Sequence, residues 1–494
     1  MLKTARYFCF LLIIALLVLT SCGNNDDSKK NIPTDDGTPQ ETTVNPLWGN
    51  SPVPAVFNAN GKTIRVYNVS TGGSFEQAEQ TGEIVDDAIY KRNQIVEDKL
   101  GVKFKHSYTP EGAESANTAF MNLINANLNE YDIATHYQYD AIRLVTQGAF
   151  KDIVDLPYID INDPWWATNY CEEIGIGKDK MFFLTGDWNL NVLGSQSAMF
   201  VNKALYRNEI GDPDDLYQTV MDGKWTFDLF SDTVRDMWKD LDGDGRKSEP
   251  DQYGTIIISP TMANHLTFAA GVRFTERDEN GLPVMIVPSE RNASFAEKIN
   301  QLYFKNAGTR WIDTSQTPEA YDIIRSAFSE GRMLMYVGRF WDASGPVLRA
   351  METDYMIIPY PKLDENDIYR SLIHDGCPLL CVPSTSTLDD NTIGAVFTEL
   401  AYQAHEHMIP AYFEVALKGK FVRDMNDVAY EIVDMIRANV TTDFAYIYNY
   451  SLASVGNLVH TMLGERSSRI VSLYGKIESA VEAGLQELID AYLY

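Results

Sequence analysis

The sequence predicts an α/β protein of two lobes, and three observations carry that expectation. From Thr63 to His136, strand-like runs alternate with helix-like ones at the spacing of βαβ units, which indicates a mostly parallel sheet. A second series of strand patterns starts afresh at Ser197. The 494 residues also exceed what one hydrophobic core ordinarily serves.

The chain opens with Lys3 and Arg6 ahead of an apolar run, Phe8 to Leu19, which has the length of a signal sequence and is short for a membrane span. Leu19-Thr20-Ser21-Cys22 follows and resembles the bacterial lipobox, in which small residues admit the processing enzyme and the cysteine thiol receives lipid. Residues 1–21 are therefore expected to leave as a signal peptide, with Cys22 the lipidated N-terminus on the outer side of a membrane; an uncleaved signal anchor is the alternative. Residues 22–60 read as a flexible tether, because Asn, Asp, Ser, Thr, Pro and Gly dominate them and cannot bury a core.

Folding is expected from Gly61. Thr63 to Val69 reads as a strand, Asp86 to Leu100 as a helix stopped by Gly101, Val102 to His106 as a strand, Ala113 to Asn127 as a helix and Tyr131 to His136 as a strand. Ligands of such sheets sit beyond the carboxyl ends of strands, which points to Ser70–Ser74 and to Tyr137-Gln138-Tyr139-Asp140 as cleft loops. The second series comprises the strand Ser197–Asn202, helices Phe227–Lys239, Phe295–Lys305 and Pro318–Ser329, and the strands Met333–Val337, Tyr355–Ile358 and Pro378–Val382. Helices dominate from Asp389 onward.

Hydrophobic content of 45% is ample for globular folding. The net charge of −28 becomes more negative once Lys3 and Arg6 are removed, which argues against nucleic acid and anionic lipid as partners and favours a neutral or cationic small ligand. Cys9 leaves with the signal and Cys22 is committed to lipid, so Cys171, Cys377 and Cys381 remain, an odd set without a disulfide framework. Cys377 and Cys381 lie in an apolar strand-like run and are expected to be buried as small hydrophobes.

Asp240 to Asp251 places side-chain oxygens of Asp240, Asp242, Asp244, Ser248 and Asp251 at positions 1, 3, 5, 9 and 12 of a loop with Gly245 at position 6. The spacing is that of an EF-hand calcium loop, in which the Arg246 carbonyl supplies position 7 and Ser248 acts directly or through water. Structural Ca2+ is the expected occupant, with no cofactor for chemistry. Asp251 is shorter than the usual bidentate glutamate and Gln252–Ile256 reads as strand, so affinity is expected to be reduced; a solvated Asp/Gly turn is the alternative.

Met199-Phe200-Val201-Asn202-Lys203-Ala204-Leu205-Tyr206, then Gly223-Lys224-Trp225-Thr226-Phe227-Asp228, then Asp240 to Gly254, then Gly331 to Trp341, occur in an order that resembles the extracellular solute-binding proteins of bacterial ABC importers. The resemblance is to the carbohydrate-binding, maltose-binding-protein-like group, family 1, and runs over most of the mature chain. It implies a type II periplasmic-binding-protein-like fold: two α/β lobes, several hinge crossovers, and a ligand cleft between the lobes. Lobe 1 would take residues 61–186 plus about 376–430, and lobe 2 about 187–375 plus 431–494. It further implies a lipid-anchored, non-enzymatic monomer that captures a carbohydrate, expected to be an oligosaccharide, and delivers it to the permease subunits of an ABC importer. Arg339 and Phe340 replace smaller residues of the family, and the C-terminal stretch is longer than in short members, so the exact sugar is not inherited.

A sugar ring presents apolar C–H faces and a hydroxyl edge, so its site needs flat aromatics and planar polar groups. Trp341, Trp188, Asp187 and Arg339 are the first candidates, because they combine both chemistries in loop-like segments near strand ends and crossovers. Trp165, Trp166, Asn189, Tyr137, Tyr139, Asp140, Asp342 and Asp375 complete the expected ligand set. Each has a plainer role open to it: tryptophans as core anchors, Asp342 as a helix cap, Arg339 as an ion-pair partner. An exported glycoside hydrolase would explain the aromatics and acids, but no segment marks a catalytic pair. His405-Glu406-His407 reads as a solvated patch, since residues two apart on a helix point to different faces. A binder of another polar solute or of peptides would share the same scaffold, and a purely structural surface lipoprotein would bind no solute at all.

Overall fold

Ile64 and Val66 point inward while Lys62 and Thr63 are exposed and Arg65 is half-buried, and this stretch forms the strand at the heart of the first sheet. The computed structural model describes residues 48–69, 75–108, 113–177, 180–259, 261–413 and 427–493. Cys22, the signal segment and the loop Ser70–Ser74 lie outside them. In chain order the strands are β1 (Lys62–Asn68), β2 (Val102–Tyr108), β3 (Ile133–Tyr137), β4 (Ser197–Asn202), β5 (Thr255–Ser259), β6 (Thr275–Arg277), β7 (Pro283–Met285), β8 (Thr309–Asp313), β9 (Met335–Arg339), β10 (Tyr355–Ile358), β11 (Ser371–Leu372), β12 (Pro378–Cys381) and β13 (Val440–Thr441).

The first sheet has the order β12-β3-β1-β2. Strand β1 runs parallel to β2 and to β3, and β12 is antiparallel to β3. The helices Ile84–Leu100 and Ala113–Asn125 make the two crossovers. The chain leaves β1 on one side for β2 and returns on the other for β3, the topology for which ligands are expected beyond the carboxyl ends of the strands. The first crossover helix ends as the sequence predicts, with Gly101 at φ 62° and its N–H on the Glu97 carbonyl. A Cβ there would stand 2.2 Å from Asn58 Oδ1.

The second sheet, β10-β4-β9, is wholly antiparallel, so the mostly parallel expectation holds only for the first. Every residue of β4 is buried, as a central strand covered on both faces requires. Strand β9 starts two residues later than the apolar run suggests, because Met333 forms a parallel bridge with Tyr253 before the pairing with β4 begins. Arg339 is thereby the last residue of the strand. The chain returns to the first sheet through β12, and Leu184 and Gln196 bridge to Leu380 and Ile373 where the sheets are linked.

Two boundaries move. Residues 48–60, assigned by composition to the tether, are packed: Asn50 N donates to Tyr402 Oη at 2.8 Å, Val53 is buried, and Ser51 Oγ bonds Glu399. Their anchor is the buried ion pair Lys99–Glu399, at 2.6 Å. Such a pair is held only when its remaining valences are met, and Ser51 and Gln403 meet them. The helix expected over Phe227–Lys239 ends at Arg235. Cys171, Cys377 and Cys381 are buried free thiols, and burial pushes the first two up to about 12. No helix among the described residues is long and apolar enough to cross a membrane.

Candidate functional site

A groove of about 610 Å³ opens at the carboxyl ends of β3 and β9, one strand from each sheet. Tyr137 ends β3, and Tyr139 and Asp140 follow on the helical turn Gln138–Ala141. This turn is fixed by the crossover segment: Gln138 N donates to the Cys377 carbonyl at 2.9 Å and Tyr139 N to the Asp375 carbonyl at 3.2 Å. The crossover itself supplies His374, Asp375 and Gly376 to the wall.

On the other side, Arg339 and Trp341 face the groove from the end of β9 and the short helix Phe340–Ser344. Asp342 organises this corner. Its Oδ2 accepts from Arg339 N at 2.9 Å and its Oδ1 from Arg325 at 3.3 Å, so it braces the helix start and is buried away from the groove. Trp341 is 43% exposed and lies against Gly194, where a Cβ would come within 2.7 Å of its ring. One indole face is thus backed by the helix Leu190–Gly194, whose Asn191 and the adjoining Ser195 also line the groove.

Charge in the groove is mixed, with Arg339 opposed by Asp140 and Asp375. Burial holds His374 below the usual histidine range against the pull of Asp375, and Arg339 adds to the lowering. The His374 Nδ1 lies 3.0 Å from both Gly376 N and Asp375 Oδ1, which fixes the ring in the wall. The wall therefore offers flat aromatic surface, fixed donors and fixed acceptors, the complement of a polyhydroxylated solute.

Six of the expected ligand residues meet here: Tyr137, Tyr139, Asp140, Arg339, Trp341 and Asp375. The other six do not. Trp188 is completely buried, edge-on to Phe75, with its carbonyl accepting from Arg92 Nη1 at 2.8 Å; the first sheet's core claims its indole. Trp165 and Trp166 are buried too, the former edge-on to Tyr402 at 5.1 Å. Asn189 caps the helix Leu190–Gly194 by accepting from Asn191 N at 2.8 Å. Asp187 pairs with His405 at 2.6 Å, which raises the His405 pKa through that hydrogen bond, so His405 is a partnered, half-buried group rather than part of a solvated patch. Asp342 is the brace already described. His374 and Gly376 enter with Asp375 as one candidate segment near a crossover, whereas the sequence passes over Asn191 and Ser195, although Asn191 follows Asn189 closely.

In the Asp240–Asp251 loop, ligand oxygens of Asp240, Asp242 and Asp244 lie within 4.8 Å of one another, so these three fit a cation. Gly245 takes φ 71° and donates to Asp240 Oδ2 at 2.8 Å. Ser248 Oγ donates to Asp242 Oδ2 at 2.9 Å, and Arg246 N to Asp244 Oδ1 at 2.7 Å. Asp251 departs from the expected set: buried, it accepts from Leu241 N, Ser248 N and Trp238 Nε1 at 3.0–3.1 Å, so its oxygens stitch the loop together.

No family model matches the chain, and no curated protein matches it. Solved structures do. A cyclo/maltodextrin-binding protein complexed with maltotetraose aligns over 88% of this chain and 98% of its own, at 13% identity and a TM-score of 0.52. UgpB from Mycobacterium tuberculosis, in complex with glycerophosphocholine, aligns over 87% and 100% at 11% identity and a TM-score of 0.54. A protein with mannotriose bound, CpMnBP1, aligns over 86% and 100% at 13% identity and a TM-score of 0.51. At such identities the likeness speaks for architecture. With two sheets meeting at a groove beyond their strand ends, this chain has the mixed α/β fold of the periplasmic-binding-protein-type solute-binding proteins.

Proposed function

We propose that the chain captures a carbohydrate, an oligosaccharide in particular, outside the cytoplasmic membrane and passes it unchanged to an ABC permease. The observation that carries this is the groove itself, where Trp341, Tyr137 and Tyr139 stand with Arg339, Asp375 and Asn191. Flat rings cover C–H faces while the polar groups take hydroxyls. Maltotetraose and mannotriose in two structures of the same fold support the class of ligand.

The division into lobes at residues about 187 and 376, closing on the ligand, belongs to this proposal. Closure requires a ligand that contacts both sides better in the closed state, and groove residues from β3 and β9 supply the two sides. The proposal also includes the lipid on Cys22, which would keep the binder near its transporter as a monomer, and a structural calcium ion on Asp240, Asp242 and Asp244.

A thermal-shift panel of mono- and oligosaccharides tests the reading, because a ligand of the native state raises the melting temperature by mass action. A saturable shift with one sugar series, with the sugar recovered intact, is the expected result. A melting temperature unmoved by every sugar overturns it, and cleavage of the sugar would make the protein an enzyme. The second reading, a charged or zwitterionic solute, rests on Arg339 in the wall; it is favoured if glycerophosphocholine shifts the transition and sugars do not.

A further inference from the structure

We propose that the ligand groove continues into a second hollow, so that the preferred carbohydrate is a chain long enough to fill both; this rests on the groove being a carbohydrate site. The second hollow, of about 570 Å³, lies between the helix Ala113–Asn125, the 3-10 segment Ile142–Gln147 and the C-terminal helix Ile470–Leu493. The two hollows share a wall. Tyr139 lines the first, Arg143 lines the second, and the Arg143 guanidinium carbon sits 4.3 Å from the Tyr139 ring centroid.

The same guanidinium lies 3.9 Å from the ring of Tyr450, which also lines the second hollow. The two phenols are therefore held no farther apart than the sum of those distances. Tyr450 is 65% exposed, Tyr139 48% and Trp341 43%. Tyr139 and Tyr450, water-facing and held by one cation, are platforms for an apolar face, and with Trp341 they put exposed rings in both hollows.

The rest of the second wall has the chemistry of hydroxyl recognition. Asn117, Asn122, Gln147 and Glu487 line it, and Asn117 Oδ1 is buried there without a hydrogen-bond partner. Arg143 Nε is likewise buried and unpartnered, so the guanidinium is held by its rings. The backbone is shaped to bring Tyr450 into place. Gly484 stands inside a 24-residue helix, a costly position for glycine, and a Cβ there would come 2.1 Å from the Ser451 carbonyl oxygen. The turn that follows needs left-handed backbone at Ala453 and Ser454, φ 48° and 62°. Two hollows of these volumes each fall in the range of about 300–1,000 Å³ typical of small-molecule sites, and a chain of sugar units joins them where a single unit fills only one.

The test is calorimetric titration of the whole extracytoplasmic chain with maltose through maltohexaose and with mannobiose through mannohexaose. In at least one series the dissociation constant should fall about tenfold or more between two units and four to six. Tyr450→Ala should abolish that gain and bind the disaccharide as the wild type does, whereas Tyr450→Phe, which keeps the ring, should retain it. A dissociation constant that is flat beyond the disaccharide, or a gain that persists in Tyr450→Ala, overturns the second hollow and leaves the groove reading standing. If no sugar of either series binds the wild type at any length, the groove reading falls and this inference with it.

Discussion

Replacing Gly194 by alanine adds one methyl group that touches no ligand, yet it should weaken binding. The new Cβ would lie 2.7 Å from Trp341 Cε3 and 2.9 Å from Cδ2, so something must shift. The indole is the freer partner, since it is 43% exposed and the helix Leu190–Gly194 is buried on its other flank. A tryptophan side chain offers about 150–250 Å² for burial, so the solvent-facing share here is on the order of 100 Å². Covered by a sugar at roughly 25 cal/mol/Å², that surface is worth about 2 kcal/mol, or about thirtyfold in affinity. Trp341→Ala should lose most of this, and Gly194→Ala, which keeps the ring but turns it, about five- to thirtyfold. Stability should stay within about 1 kcal/mol of wild type, because the helix propensity gained offsets the contact. Trp341 is the most exposed of the eight tryptophans, with Trp48, Trp238 and Trp311 half-buried, so the difference in acrylamide quenching between Gly194→Ala and wild type reports its displacement and calorimetry the affinity. Unchanged affinity alongside altered quenching would show that the ring's position does not matter, and the argument for Trp341 would fail.

Four more expectations follow from the same geometry. Asp187 holds the His405 pKa above its unfolded value, so the pair's contribution is fully present below about pH 6.5 and is lost as pH rises through the raised pKa. His405→Gln should therefore be less stable than wild type at acid pH, by under about 1 kcal/mol, and converge with it in alkaline solution; urea melts across pH check the sign. Arg339→Met should cost about tenfold or more in sugar affinity with little change in melting temperature, as expected for a lost charged hydrogen bond, and equal affinity would remove Arg339 from the site. Chelator should lower the melting temperature of the wild type and leave Asp242→Ala unmoved, while a wild type indifferent to chelator argues against the ion. Gly186→Ala would put a Cβ 2.1 Å from the Trp165 carbonyl oxygen and 2.9 Å from Trp166 Cα, both backbone, so denaturation should show a loss of about 1–3 kcal/mol.

Legibility followed the physics of each element. Strand ends are local features, so Tyr137, Tyr139 and Asp140 after β3, and Arg339 and Trp341 at the end of β9, were readable from alternation and the rule that places ligands there. Trp188 was not, because its fate depends on Phe75 and Arg92, which reach it from a distant part of the chain. Its neighbours Asp187 and Asn189 look like ligands in sequence, but one finds a histidine on a later helix and the other caps the turn that follows. The antiparallel second sheet was equally hidden, since strand direction is set by where long connections return. Tyr450 carries no local signal at all; only the packing of the C-terminal helix brings it beside Arg143.

Arg92 is completely buried, and desolvation lowers its pKa to about 9. Its Nη2, together with Asn93 Nδ2, grips the Phe75 carbonyl, while Val69 N is fixed on the Thr135 carbonyl. The same guanidinium donates through Nη1 to the Trp188 carbonyl, and the Phe75 and Trp188 rings meet edge-on. A single buried cation thus fastens two aromatic residues that lie far apart in the chain, so its removal would loosen both at once.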